Sequence, residues 1–393
     1  MSNSPELHWT DADGETQAVG WRSLAGHPPP EPVEVVDDSL DAGTALCLAS
    51  EGSGLLWCGD FHNARQLMQA LARRLERRQQ RAARPPAADR SPVAMAQAFQ
   101  AQRRVLAERA TVLGRLILPF EADHSVPLPR APDVRAAARE AFGALGPDEA
   151  YAASLRELQG AIGAFEWRKK GVPIEALGDR IHPHHGVFSP VRGEYVDLVA
   201  RAPLPAAARR HGAFDIGTGT GVLAAVLAKR GLQVTATDLD PRALACAADN
   251  LKRLKLASRV KLAQADLFPP GRAGLVVCNP PWVPAQPSSP LEAAVYDPDS
   301  RMLRGWLAGL AAHLAEGDRG DGGGEGWLIL SDLAEHLGLR TRAELQGWIT
   351  AGGLRVLGRL DTRPVHKRAA DPSDPLHAAR AAEVTSLWRL GAA

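Results

Sequence analysis

Four short stretches of this chain set oxygen-bearing side chains where a ligand can meet them. DIGTGTG runs from Asp215 to Gly221, closing a strand-like run and opening a helix-like one. Glycines in such a turn let the backbone approach a ligand and face it with the N–H groups of a helix N-terminus. The spacing is G-x-G-x-G, with Val222 at the third glycine place of a dinucleotide fingerprint and Asp215 just ahead, which disfavours a pyrophosphate. Asp238, in ATDLDP, follows about 20 residues later, the place expected of a carboxylate that accepts both ribose hydroxyls. Asp266, in QADLF, can accept a hydrogen bond from an adenine amine. Last comes VVCNPPW, an apolar run that ends on Asn279, Pro280, Pro281 and Trp282. Adjacent prolines are poor core material, so this corner reads as a rigid support for an amide oxygen, a locked carbonyl and an indole face.

The elements that must carry these residues follow from periodicity. After Ala213, strand-like runs (AFDIG, QVTATDLD, VKLAQADLF, GLVVCNPP, GWLILSD, LRVLGRLD) alternate with helix-like ones, and EVTSLWRL closes the chain as a last strand. Such alternation predicts a parallel sheet covered on both faces, with ligands held beyond the carboxyl ends of its strands. Asp215, Asp238, Asp266 and Asn279 all fall at those ends, on four consecutive strands. A single Asp there reads as a helix cap; four in order read as a site.

DIGTGTG, ATDLDP, QADLF and NPPW resemble the motifs of class I S-adenosylmethionine-dependent methyltransferases, over roughly Gly186 to Leu390. NPPW resembles the corner of their amino-methylating branch, within which the chain is most similar to the release-factor glutamine N5-methyltransferases. The signature of that group more often has Tyr at the position of Trp282. The resemblance implies an α/β, Rossmann-like domain with a mostly parallel seven-stranded sheet and an antiparallel last strand. It implies S-adenosyl-L-methionine as cofactor, with Asp215, Gly217, Thr218, Gly219 and Gly221 near its methionine part. Asp238 and Leu239 would hold the ribose side, Asp266 and Leu267 the adenine, and Asn279 would reach both cofactor and substrate. Asn279, Pro280, Pro281 and Trp282 would be the catalytic corner, gripping the substrate nitrogen. FSPVRGEYVDL is also similar in type, through Pro190, Arg192 and Glu194, to the segment that precedes the glycine motif there.

The chemistry agrees with that assignment. An amide or base amino nitrogen is planar and weakly nucleophilic, so methyl transfer depends on placing it in line at near-attack distance. The Asn279 side-chain oxygen and the Pro280 carbonyl accept N–H bonds that strengthen as the nitrogen gains charge. Trp282 offers a face for a flat amide or base and for a methyl cation. Neither a metal nor a covalent nucleophile is required. The leading expectation is a glutamine amide of a translation-factor-like protein partner; exocyclic base amines of rRNA or other nucleic acid, and small-molecule amines, stay open. A non-catalytic binding module is the contrasting class, and the intact glycines and NPPW corner speak against it.

Upstream, three segments are expected: an α/β accessory unit over 1–85, a helical subdomain over 91–185 and the methyltransferase domain over 186–393. In the first, VEVVDD and GLLWCGDF read as strands, and HNARQLMQALARRLERRQQ as a helix with Leu67, Leu71 and Leu75 on one face, capped by Asp60 or Asn63. Its tail carries Arg73, Arg74, Arg77, Arg78, Arg81 and Arg84, which reads as a solvated face or as a docking surface for RNA or an acidic protein. RPPAADRSP reads as a linker and GDRGDGGGEG as a flexible connection. VPAQPSSPLEAAVYDPDS reads as a lid over the site. TRPVHKRAADPSDPLHAAR reads as a long loop on the substrate side, whose Arg363, His366, Lys367, Arg368, His377 and Arg380 suit an acidic or phosphate-bearing partner. His182, His184 and His185 read as an ordinary loop, since no cysteine or carboxylate follows at ligand spacing.

A formal net charge of +1 removes any whole-protein argument for nucleic-acid binding. The cysteines, Cys47, Cys58, Cys246 and Cys278, sit in apolar stretches without C-x-x-C pairing and read as buried thiols of a reduced, cytoplasmic protein. The N-terminus lacks a signal-peptide pattern, and no apolar run approaches the ~18 residues of a membrane span.

Overall fold

The computed structural model describes residues 5–82, 91–190, 193–287, 290–317, 323–363 and 374–393. They form two compact units, Met1–Ala87 with Gln100–Glu166, and Ala88–Phe99 with Trp167–Ala393.

The first unit is built on a six-stranded mixed sheet of β1 (Glu6–Thr10), β2 (Thr16–Trp21), β3 (Val33–Val36), β4 (Gly54–Trp57), β5 (Leu116–Phe120) and β6 (Tyr151–Ser154), in the order β1-β2-β6-β5-β4-β3. The helix Phe61–Ala82 packs Leu67, Leu71 and Leu75 into the core of this unit. Asp60 caps it, its carboxylate accepting from the backbone N–H groups of His62 and Asn63.

This division differs from the expected one. The stretch 91–185 is not a separate helical subdomain: β5 and β6 lie within it and pair with each other and with β4 and β2 of the first sheet. Both escaped the helical reading for a physical reason. Short, fully apolar runs carry no period, and Tyr151-Ala152-Ala153-Ser154 is alanine-rich and runs straight into the helix Leu155–Lys170. Their strand character comes from partners far away in sequence. The cysteines also differ from expectation: Cys246 and Cys278 are buried, whereas Cys47 and Cys58 are exposed.

The second unit begins with a small antiparallel pair, β7 (Val172–Ile174) and β8 (Asp179–Ile181). Its main sheet comprises β9 (Ala213–Ile216), β10 (Val234–Asp238), β11 (Val260–Gln264), β12 (Leu275–Cys278), β13 (Glu325–Ser331), β14 (Leu354–Thr362) and β15 (Thr385–Ala392). The order is β11-β10-β9-β12-β13-β15-β14, parallel except for β15, which runs against both its neighbours. This is the Rossmann-like, mostly parallel seven-stranded sheet with an antiparallel last strand that the motifs implied. Period-2 alternation sorts its side chains: Leu275 and Val277 enter the apolar layer on one face, Val276 and Cys278 the layer on the other. The order also reverses between β9 and β12, the position at which open α/β sheets bind ligands.

Among the described residues no helix is long and apolar enough to cross a membrane. His182 and His184 take separate local partners, the Arg168 carbonyl and the Asp249 carboxylate. Arg84 and most of the RPPAADRSP linker lie outside the described residues, as do Arg192, the middle of GDRGDGGGEG, and His366, Lys367 and Arg368. The end of the expected long loop is not structureless, since His377–Ala382 is helical.

Candidate active site

A cavity of about 740 Å³ opens at the carboxyl ends of β9, β10, β11 and β12. Gly217, Thr218, Gly219, Asp238, Leu239, Asp266, Leu267, Asn279 and Pro281 line it. Asp215, Gly221, Pro280 and Trp282 do not: Pro280 is buried at the corner, and the other three take contacts described below.

Asp215 is a support beneath the glycine turn. It is 1% exposed, and one carboxylate oxygen accepts from the Thr218 hydroxyl at 2.7 Å and from the Ala224 N–H at 2.9 Å. Burial pushes this carboxyl up to about 6, against the pull of those two donors, with the nearby Asp238 charge pushing the same way as burial. Gly221 is a packing glycine: at φ +79° it faces Ala247, whose Cβ would stand 3.1 Å from an added Cβ. Gly217, at φ +71°, faces the cavity, and a Cβ there would stand 2.7 Å from the Met302 methyl.

The Asp215 environment sets a pH-dependent term. The folded-state carboxyl titrates near 6, and an unfolded one near 3.9. The folded state therefore holds the proton more tightly, and the stability this group contributes below about pH 4 is lost as pH rises to about 6. Between those limits the loss is about 3 kcal/mol. Asp215→Asn keeps an acceptor for Ala224 and does not titrate, so urea unfolding at pH 4, 5 and 7 is expected to show that loss in the native chain and not in the variant.

Asp238 receives the Gly219 N–H at 2.9 Å on one oxygen and the Asp240 N–H at 3.0 Å on the other, which fixes its plane and leaves a lone pair free on each. Leu239 beside it is 59% exposed, an apolar face at the cavity wall. Asp266 is engaged by Arg301, whose guanidinium donates to it at 2.8 Å. Leu267 adopts φ +76° and its carbonyl accepts the Thr237 hydroxyl at 2.6 Å, so this turn after β11 is tied to β10.

At the corner, the Trp282 indole N–H donates to Asn279 Oδ1 at 2.8 Å. The indole also meets the buried Tyr195 ring edge-on, at 6.5 Å between centroids. Trp282 thus acts on Asn279 and on the packing around it, where the sequence suggested an open stacking face. One lone pair of Oδ1 stays available. Trp282→Phe, which keeps an aromatic body and deletes the donor, is expected to lower turnover by roughly tenfold and stability by about 1 kcal/mol. Steady-state kinetics and urea unfolding would check both.

Several lining residues lie in stretches noted in the sequence without being singled out there. Asp297 is 5% exposed and accepts from the N–H groups of Met302 and Leu303, capping the helix Arg301–His313. Its own N–H donates to the Val283 carbonyl at 2.9 Å, which draws the far end of the lid segment back to its start, next to the NPPW corner. Burial raises its carboxyl above the ordinary range. Tyr195 and Phe188 also line the cavity, from the poorly patterned stretch before β9. An acid directly ahead of a helix was the one cue that pointed to Asp297.

The electrostatics are one-sided. Asp238, Asp240, Asp266 and Asp297 line the cavity, and Arg301, already paired with Asp266, is the one cation among its described lining residues. The residues present fit a nucleoside carrying a positive charge. The volume lies within the ~300–1,000 Å³ of small-molecule sites, Asp238 can accept a diol, and the acidic wall suits a sulfonium.

Residues 179–292 match the family described as Methyltransferase small domain. A release factor glutamine methyltransferase from Cereibacter sphaeroides is 41% identical over 112 residues, covering 28% of this chain and 36% of that protein. A ribosomal protein L11 methyltransferase from Desulfitobacterium hafniense is 46% identical over 68 residues, 17% of this chain and 22% of that one. The crystal structure of a methyltransferase from Pyrococcus furiosus covers 61% of this chain and 99% of its own at 17% identity, with a TM-score of 0.38. The chain spans only about a third of the release-factor relatives it matches. The match to the Methyltransferase small domain family spans less than a third of the chain, and it lies on the mostly parallel, Rossmann-like strand order described above.

Proposed function

We propose that this protein is an N-methyltransferase acting on a planar NH₂ nitrogen, and that the nitrogen belongs to a glutamine side chain of a protein of the translation apparatus. S-adenosyl-L-methionine, when bound, supplies an electrophilic methyl group on a sulfonium. The glycine turn from Gly217 to Gly219, Asp238 and Leu239 hold it; Asp215 supports that turn from below.

Asn279 carries the reading. Its oxygen sits in the same cavity as Asp238 and Gly219, at the end of the neighbouring strand, with the Trp282 N–H fixing its direction. An oxygen so held accepts one N–H of the incoming group and points its lone pair along one line. The Pro280 carbonyl, on a residue of locked φ, is the second acceptor we assign. As the N–CH₃ bond forms and the S–CH₃ bond breaks, the nitrogen gains positive charge, both bonds strengthen, and the surplus proton leaves to solvent. The acidic lining stabilises that charge.

The same lining favours an amide over a nucleic-acid base. A base amine arrives flanked by phosphates, and the described lining has no unpaired cation to meet them. Among the relatives, the release factor glutamine and ribosomal protein L11 methyltransferases are named for proteins of translation, whereas tRNA1(Val) (adenine(37)-N6)-methyltransferases from Vibrio are named for a base. Methyl-labelled S-adenosylmethionine, this protein and an extract from cells lacking it provide the test. Label is expected in a protein band, as N5-methylglutamine after proteolysis; label in RNA alone would overturn the reading.

A further inference from the structure

The arginine run of the first unit is unrelated to the cavity, and its geometry narrows what it suits. Phe61–Ala82 is a 22-residue helix whose Phe61, Ala64, Leu67, Met68, Leu71 and Leu75 are buried. At 3.6 residues per turn, the opposite side presents an arc of about 140° running from Gln69 through Gln80, Arg73, Gln66, Arg77, Ala70 and Arg81 to Arg74. Four arginines and three glutamines dominate it, beside Ala70 and, at the first turn, His62 and Asn63, and the single acid of the helix, Glu76, lies at its margin. Arg73, Arg74, Arg77 and Arg81 are exposed, and so are Gln66, Gln69 and Gln80. Arg78, at the far margin, is paired with Glu108 at 2.9 Å. Arg73, Arg77 and Arg81 have no ion-pair partner among the described residues and form a ladder that repeats every ~6 Å along the helix.

We infer that this face docks on double-stranded RNA. Three unpaired guanidiniums in a row form a local cationic strip on a protein of net charge +1, and phosphates are the partner that complements it. From Gln66 onward the arc carries no aromatic side chain, His62 lying at the first turn away from the arginine ladder, so bases of a single strand have nothing to stack on along the ladder. Glutamine amides both donate and accept, which matches the 2′-hydroxyls that line the shallow minor groove of an RNA duplex and that DNA lacks. The surface therefore reads backbone and sugar, not sequence. It places this chain on structured RNA independently of the methyl-transfer reading.

The test is fluorescence anisotropy of the full chain with an RNA duplex of roughly 16 bp and with DNA of the same sequence, across about 50 to 200 mM salt. RNA is expected to bind tighter than DNA, with affinity falling as roughly the third power of salt concentration. Arg73→Ala/Arg77→Ala/Arg81→Ala should lower that exponent by about 2–3 and weaken binding at least tenfold, and Arg77→Ala alone should lower it by about 1. Gln66→Ala/Gln69→Ala should narrow the preference for RNA. All these positions are exposed, and circular dichroism checks that the helix persists. Unchanged RNA affinity in the triple and single arginine variants would overturn the inference. So would equal affinity for DNA, or binding to polyglutamate with none to RNA.

Discussion

Asn279→Ala is expected to cut kcat for methyl transfer by about 10²–10³-fold, with a much smaller change in cofactor affinity. Asn279 follows directly on β12, a strand whose four residues are all buried, so its backbone has nowhere to drift. Its side-chain oxygen is pinned by the Trp282 indole at 2.8 Å. An acceptor held this way is worth most when charge develops on the nitrogen, so its loss falls on kcat more than on KM. The variant also frees the Trp282 N–H, so Trp282→Phe should cost little further turnover in the Asn279→Ala background. Single-turnover kinetics with a saturating glutamine-bearing substrate, beside calorimetric titration of the cofactor, would separate the two effects. Normal turnover in Asn279→Ala would remove the amine-gripping mechanism altogether.

Gly217→Val should abolish measurable cofactor binding, a loss of more than ~100-fold, in a protein that still folds. Two physical effects act together. Gly217 has φ +71°, a conformation that a β-branched residue adopts at a cost of about 1–3 kcal/mol. Its missing Cβ also leaves the space beside the Met302 methyl open, and valine fills it. The turn can relax only by moving Gly219, whose N–H is bonded to Asp238. Strain in the turn and a displaced ribose acceptor therefore come together. Thermal denaturation reads the outcome directly: cofactor should raise the Tm of the native chain and leave that of the variant unmoved. A variant that binds cofactor normally would show that the ligand lies elsewhere.

The motifs named the strand-end wall of the cavity because each sits at a strand end, and a strand end is a local property. Residue type, spacing and period sufficed to put Asp238, Asp266 and Asn279 beside the glycine turn, and the structure places them around one cavity. Spacing could not say which way a side chain points. Asp215 turned inward to the Thr218 hydroxyl of its own turn, Trp282 to Asn279 three residues before it, and Asp266 to Arg301 on a later helix, choices that burial and hydrogen-bond partners make and spacing does not.

By itself the sequence determined the alternation of strands and helices in the second unit and the four strand-end positions; that its last strand runs antiparallel was implied by the family resemblance and is set by pairing with β13 and β14. The alternation and the strand-end positions follow from periods of 2 and 3.6 residues and from backbone restrictions at Gly and Pro. Only the tertiary structure decided that Leu116–Phe120 and Tyr151–Ser154 are strands, since their hydrogen-bond partners include Leu55 and Leu56 and, for Tyr151–Ser154, Gly20 and Trp21. It alone decided that Asp297 closes the cavity, through a bond to Val283 that no periodicity encodes. The reason is the same in both cases: local pattern fixes what an element can be, and contacts between residues distant in sequence fix what it is and what it faces.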